Sequence, residues 1–302
     1  MSNCSFVLSY DVGGSHATAG LIDSQSLAIR VTNFCAIDSD GSASAILDSL
    51  QTLGKGLLEN AVQLGGEVLG VAVAMPGPFD YEHGISLVRH KYASLYQMNL
   101  RQELAQRLAI AGDRIVFLND AQSFLLGENH AGAAKEVRRC VGVTLGTGVG
   151  SAFLVNGRIV ESGEGVPPGG EIYCLPWDGG IVEDKISTRN IQSRFRERTG
   201  LNASVREICL AVQENPHAAT VIQEFGAELG LVMKQIFTPF RPEAIVLGGA
   251  ISRSAALFLP SAEKTAGDWL KGLVRVSTLL DNAPIAGAAV RCLHTLGVRS
   301  TV

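Results

Sequence analysis

Short apolar bursts run along the whole chain, and most of them end in a cluster of glycine, hydroxyl or acidic residues. Residues 6–10, 16–22 and 27–34 read as three consecutive strands of an antiparallel meander. The period then changes: Ile46, Leu50, Leu53, Leu57 and Leu58 share one face of a helix predicted over 42–62, with Ser42 as its cap. Residues 68–74 are continuously apolar, as a strand buried on both faces requires. A helix over 99–110, a buried strand over 114–118 and a helix from 119 to 131 follow. The second half repeats this plan, with strands over 139–145, 151–155 and 158–160 and helices over 187–199, 204–214 and 216–237. A last apolar strand, 244–247, runs into Gly248-Gly249, and a C-terminal helix starts near 283.

Two of the turns in this pattern are alike. In the first, a strand delivers Asp11, Gly13-Gly14 make the turn, Ser15 adds a hydroxyl, and a second strand leaves. In the other, a strand enters Gly146-Thr147-Gly148-Val149-Gly150 and a strand leaves. Glycine suits such turns because they call for positive φ and because a side chain would block an approaching polyanion. One Gly-Gly hairpin is ordinary. Two of matching design point to a duplicated unit with both turns aimed at one ligand.

Length and composition narrow the classes. At 302 residues and 46% apolar, the chain can bury a large core and is expected to divide into two domains. A net charge of −4 gives no basic footprint, so nucleic acid is not an expected partner. The longest apolar stretch, 141–155, is too short and glycine-rich for a membrane span. Cys4, Cys35, Cys140, Cys174, Cys209 and Cys292 form no CxxC pair, which argues against a disulfide framework and for a reducing compartment. The opening residues enter a strand without a charged-then-apolar leader, so a cytoplasmic protein is expected. His16, His90 and His130 are isolated and read as structural or surface residues.

Candidate chemistry gathers after strand ends, where open α/β sheets place ligands. Asn119-Asp120 closes a buried strand and opens a helix. A rigid, partly desolvated carboxylate there suits a general base for a hydroxyl, although an N-cap is the plainer role. Gly248-Gly249 would let backbone approach a flat nucleotide group or simply turn the chain into a helix. Gly77, within Met75-Pro76-Gly77-Pro78, would line a substrate site or a plain loop. Glu171 and Glu183 lie in a glycine- and proline-rich loop, as acceptors for sugar hydroxyls or as surface ion pairs.

Taken in order, DVGGS at 11–15, PGP at 76–78, ND at 119–120, LGTGVGSAF from 145, GE at 170–171 and VLGGAIS from 246 resemble the ROK family of sugar kinases and repressors. The resemblance implies a two-domain α/β fold of the actin-like, ribonuclease H-like ATPase type with a cleft between the lobes. The N-terminal lobe would be 1–118 with the C-terminal helix 284–302, and the other lobe 119–283. It also implies an ATP-dependent kinase acting on a hexose hydroxyl, with Asp120 as base and Gly77, Asn119, Asp120, Glu171 and Glu183 on the sugar. Asp11, Gly13, Gly14, Ser15, Gly146, Thr147 and Gly148 would serve Mg²⁺ and the phosphates, Asp11 reaching the metal through water. Gly248 and Gly249 would serve the adenosine. A homodimer is implied as well.

The chain departs from the family pattern at three places. The usual zinc site has a histidine after GE and then a cysteine cluster. Here Cys174 stands at the histidine position and LPWDGGI at 175–181 replaces the cluster, so no structural zinc is expected. That histidine also touches the sugar, so Cys174 puts glucose itself in question. His16 stands where lysine is common after the phosphate loop. Two alternatives stay open: a kinase using polyphosphate, or a sugar-binding regulator with weak catalysis. With a strand already read from Phe6, nothing here resembles the N-terminal helix-turn-helix of the family's repressors, so a DNA-binding module is not expected.

Overall fold

The computed structural model describes residues 4–89 and 91–298, so His90 and the last four residues of the C-terminal helix 284–302 lie outside the described residues. It forms two compact units, one of the described residues up to Gly127 with those from Asn282 on, the other Glu128–Asp281. The first chain crossing thus follows Gly127 rather than residue 118, so Asn119 and Asp120 belong with the first unit.

The first unit opens with β1 (Cys4–Val12), β2 (His16–Asp23) and β3 (Ile29–Ala36), followed by α1 (Ala43–Gln63) and β4 (Gly66–Met75). The hairpin β5 (Phe79–Asp80) and β6 (Ile85–Ser86), α2 (Leu100–Leu108), β7 (Ile115–Asn119) and the first part of α3 (Asp120–Ala131), up to Gly127, complete its first pass. The five-stranded sheet has the order β3-β2-β1-β4-β7. β1, β2 and β3 pair antiparallel, and β4 and β7 join in parallel. Ser42 caps α1 by accepting from the Ala45 N–H at 3.3 Å. Its apolar stripe, Ile46, Leu50, Leu53 and Leu57, closes over Phe6, Leu8 and Tyr10 of β1.

The second unit repeats the plan. It contains β8 (Arg139–Leu145), β9 (Val149–Val155), β10 (Arg158–Val160), the small pair β11 (Pro176–Trp177) and β12 (Gly180–Ile181), α4 (Val182–Ile186), α5 (Thr188–Thr199), α6 (Val205–Leu210) and α7 (Pro216–Phe237). β13 (Ala244–Gly248), α8 (Ala255–Ala266) and β14 (Val274–Val276) follow, and the chain returns to the first unit with α9 (Ala283–Thr295). The sheet order β10-β9-β8-β13-β14 has the same sense as the first, a meander and then two parallel strands. Matched glycine turns in the sequence thus correspond to matched sheets.

Several elements differ from the sequence reading. The helix expected over 204–214 stops at Leu210, because Asn215 caps α7 by accepting from the His217 N–H at 2.9 Å and the intervening residues must turn. β9 begins at Val149, two residues before the predicted 151. α8 and β14 had no counterpart in the pattern; α8 holds an internal proline, Pro260, which is disfavoured inside a helix. It packs closely on α7: a Cβ on Gly226 or Gly230 of α7 would lie 2.2 or 2.4 Å from the carbonyl oxygens of Phe258 and Ala262, so the α7 and α8 backbones nearly touch.

No helix among the described residues is long and apolar enough to cross a membrane.

Candidate functional site

The sequence-derived residues form two groups, one in each unit. In the first unit, β1 delivers Asp11, which pairs with Thr18 of β2 and Ala74 of β4 at the strand ends. The Gly13 N–H donates to the His16 carbonyl at 2.9 Å and closes the glycine turn. Neither Gly13 nor Gly14 has positive φ, so that part of the expectation is corrected. Space is what these glycines provide: a Cβ on Gly13 would sit 3.3 Å from the His16 carbonyl oxygen, and one on Gly14 would sit 3.3 Å from the Lys91 Nζ. Ser15 is exposed, and its carbonyl accepts from the Ile37 N–H at 2.9 Å. Tyr92 is fully buried with left-handed backbone, and its hydroxyl donates to the Gly13 carbonyl. Burial, with the Cys35 and Asp11 charges adding to it, pushes that phenol up to about 12.

At the end of β7, Asn119 takes the capping role. Its Oδ1 accepts from the Ala121 N–H at 2.9 Å and the Gln122 N–H at 3.3 Å. Its Nδ2 donates to the Tyr81 hydroxyl at 3.2 Å, which in turn donates to the Met75 carbonyl at 3.0 Å. A Cβ on Gly77 would lie 3.5 Å from that same hydroxyl, so Tyr81 ties Gly77 and Asn119 into one wall. Asp120 starts α3 and is half-buried; its Oδ1 accepts from the Ala121 N–H at 2.8 Å. Desolvation raises its carboxyl above the ordinary carboxylate range, against the lowering by that N–H and by the Lys91 charge.

In the second unit, Gly146-Thr147-Gly148 joins β8 to β9, with the Gly146 N–H donating to the Gly148 carbonyl at 3.0 Å. Thr147 is exposed, and no atom lies within 4 Å of a Cβ placed on Gly146, so this turn presents open backbone. Gly249 does adopt positive φ, +80°, and a Cβ there would lie 2.4 Å from the Leu145 carbonyl oxygen. Gly248 pairs with Thr144, so both glycine turns of this unit stand at the same ends of adjacent parallel strands.

Glu183, expected on the sugar, lies against the glycine turn: its Oε2 accepts from the Val149 N–H at 2.9 Å, and a Cβ on Gly148 would be 2.8 Å from that oxygen. Arg189 pairs with its other oxygen at 3.7 Å. The Glu183 N–H donates to the Tyr173 carbonyl at 3.1 Å. Tyr173, 38% exposed, has its phenol raised by burial and by the charges of Glu171, Cys174 and Glu183, so these four gather around one loop. Ser151 anchors that loop by donating to the Gly170 carbonyl at 2.6 Å and accepting from the Ile172 N–H at 3.0 Å. Removing the Glu183 carboxylate leaves the Val149 amide without its acceptor. Glu183→Ala is expected to cost about 1–3 kcal/mol and to speed hydrogen exchange at Val149; unchanged protection of that amide would refute the anchoring role.

Tyr81, Tyr92, Lys91 and Ser151 were not found by sequence reasoning. Each acts on a residue far away in the chain, and no local motif marks such a contact. A polar groove of about 450 Å³ along α5 and α6 is lined by Arg189, Gln192, Arg196, Asn202, Ser204 and Glu207, and none of the sequence-derived site residues lines it. No group of three or more His, Cys, Asp or Glu among the described residues is arranged to hold a metal ion.

The repeated sheets and the glycine turns at their strand ends define the actin-like ATPase fold. The chain belongs to the ROK family, whose model matches residues 7–293. The glucokinase of Thermotoga maritima is 26% identical over 94% of this chain and 96% of its own length. The crystal structure of a ROK family glucokinase from Streptomyces griseus in complex with glucose and AMPPNP has a TM-score of 0.76 at 22% identity, over 95% of this chain and 98% of that one. The family also includes a repressor: the DNA-binding transcriptional repressor Mlc of Escherichia coli is 23% identical over 63% of this chain and 50% of its own length.

Proposed function

We propose that this protein is an ATP-dependent hexose kinase in which Asp120 takes the proton from the accepting sugar hydroxyl. The observation that carries the reading is the division of labour at the end of β7: Asn119 caps α3, while Asp120 beside it is a desolvated carboxylate with a raised pKa. A base of that kind is matched to a hydroxyl better than an exposed aspartate would be. Glucose or a close relative is the first candidate substrate, in keeping with the Thermotoga relative.

Sugar contacts are assigned to Gly77, Asn119, Glu171 and Glu183. The nucleotide is assigned to Gly13, Gly14, Ser15, Gly146, Thr147 and Gly148 at the phosphates and to Gly248 and Gly249 at the adenosine. Open backbone at Gly146 and the tight first turn suit an anionic chain, because glycine amides bind phosphate without a side chain in the way. Asp11 offers Mg²⁺ a hard carboxylate oxygen, which fits that ion's preference, through an intervening water. Bound there, the metal would neutralise charge on the phosphates. The protein is proposed to work as a cytoplasmic homodimer.

A second reading, a sugar-binding regulator with weak catalysis, draws on Tyr173 and Cys174, both exposed on the loop that carries Glu171. The two readings separate in one experiment. Purified protein is given Mg²⁺-ATP and, singly, glucose, mannose, fructose, allose, N-acetylglucosamine and N-acetylmannosamine, with polyphosphate as a parallel donor. The kinase reading expects ADP release with one sugar far above the sugar-free rate. Stabilisation against heat by a sugar, with no transfer from either donor, would favour the regulator.

A further inference from the structure

We propose that Lys91 is a phosphate-contacting residue, its ammonium group lying over the first glycine turn to hold the terminal phosphate of the bound nucleoside triphosphate. The inference rests on the kinase reading and adds to it a residue that no motif pointed to.

The geometry is local to the first unit. A Cβ placed on Gly14 would lie 3.3 Å from the Lys91 Nζ and 3.8 Å from its Cδ and Cε, so both the stem and the head of the side chain lie over the turn. The lysine is not a wandering surface group. The next residue, Tyr92, is fully buried, donates its hydroxyl to the Gly13 carbonyl, and donates its N–H to the Ser39 carbonyl at 2.9 Å. Tyr92 therefore fastens the segment to the very turn that Lys91 covers. Lys91 is itself half-buried and makes no ion pair among the described residues. Its charge is felt at Asp120, where it favours the carboxylate.

Phosphoryl transfer requires the donor phosphate to sit between the phosphate-binding turn and the base that activates the acceptor. A cation over the turn whose charge also reaches the base meets that requirement, since charge on the transferring group spreads over its equatorial oxygens. An ammonium group supplies three donors from a compact charge. It does so here beside Gly14, whose missing side chain lets the ammonium group come down onto the turn. His16, the residue after the turn, is exposed, and its Nδ1 lies 3.5 Å from the Ser15 hydroxyl. The ammonium group at this turn comes from Lys91.

The test measures binding of Mg²⁺-AMPPNP and Mg²⁺-ADP by calorimetry to wild type, Lys91→Met and Lys91→Arg, with melting temperatures alongside. Loss of a charged hydrogen bond should weaken AMPPNP binding to Lys91→Met about 10- to 100-fold. ADP affinity and melting temperature should hold, and Lys91→Arg should recover part of the loss. Equal AMPPNP affinity in wild type and Lys91→Met would overturn the proposal. So would a parallel loss for both nucleotides with a lowered melting temperature, the mark of a structural role. A wild type that binds AMPPNP but phosphorylates no sugar would overturn the kinase reading alone, with the AMPPNP–ADP comparison still deciding on Lys91. A wild type that binds neither nucleotide would overturn both.

Discussion

Asp120→Asn is expected to lower sugar phosphorylation about 10²- to 10⁴-fold, the contribution a positioned general base usually makes. Asparagine keeps the shape of the side chain and an oxygen for the Ala121 N–H, which Asp120 Oδ1 accepts at 2.8 Å. What it removes is the proton acceptor. The effect on stability should run the other way. Desolvation raises the Asp120 pKa above the ordinary 3.8, so the folded chain binds this proton more tightly than the unfolded chain does. The residue's contribution to stability is full below the ordinary carboxylate value and is lost as pH rises through the raised one. Above that window the charge opposes folding. Asp120→Asn should therefore melt no lower than wild type at pH 8, with its advantage shrinking toward pH 4. In wild type, kcat/KM should rise with pH along a limb displaced upward from the ordinary carboxylate range. An Asp120→Asn enzyme with near-wild-type turnover would refute the assignment of the base.

Gly287→Val should cost about 3 kcal/mol, at the upper end of overpacking effects. A Cβ on Gly287 would lie 1.8 Å from the Ser123 carbonyl oxygen and 2.6 Å from the Gly127 nitrogen, while one on Gly127 would lie 2.1 Å from the Ala283 carbonyl oxygen. The backbones of α3 and α9 thus touch within the first unit, and the Ser123 hydroxyl pins them by donating to the Pro284 carbonyl at 2.6 Å. No rotamer change relieves a clash with backbone. Valine must lift α9, whose buried Ile285, Ala288, Ala289, Cys292 and Leu293 fill the space beside β1 and β4. Urea unfolding measures the loss; an unchanged midpoint would mean that the helices do not meet at these glycines.

The periodic parts of this fold were legible in the sequence. The apolar runs of β1 and β2, the α1 stripe of Ile46, Leu50, Leu53 and Leu57, and the recurring glycine turns lead to two sheets of the same strand order. Pattern reading failed where long-range packing sets the outcome. α8 was missed altogether: it holds an internal proline, Pro260, and lies hard against Gly226 and Gly230 of α7, a contact that no local pattern marks. The positive φ expected of the turn glycines holds for one and fails for others. Gly13 and Gly14 leave room for Lys91 and the His16 carbonyl, whereas positive φ belongs to Gly249. At the candidate site, motif spacing pointed to Asn119, Asp120, Glu171 and Glu183. It could not point to Tyr81, Tyr92, Lys91 or Ser151, because each is defined by a partner that only folding brings near. Nor did it foresee that Glu183 would hold the Val149 amide.

The most direct test follows the phosphorus atom. Wild type is incubated with Mg²⁺-ATP and each sugar of the panel, and ³¹P NMR records where the γ-phosphate goes. The kinase account predicts a new phosphate monoester that grows with one sugar in step with ADP, is nearly absent in Asp120→Asn, and is accompanied by little inorganic phosphate. ADP paired with inorganic phosphate instead of a sugar ester, or no reaction with any sugar, would contradict it.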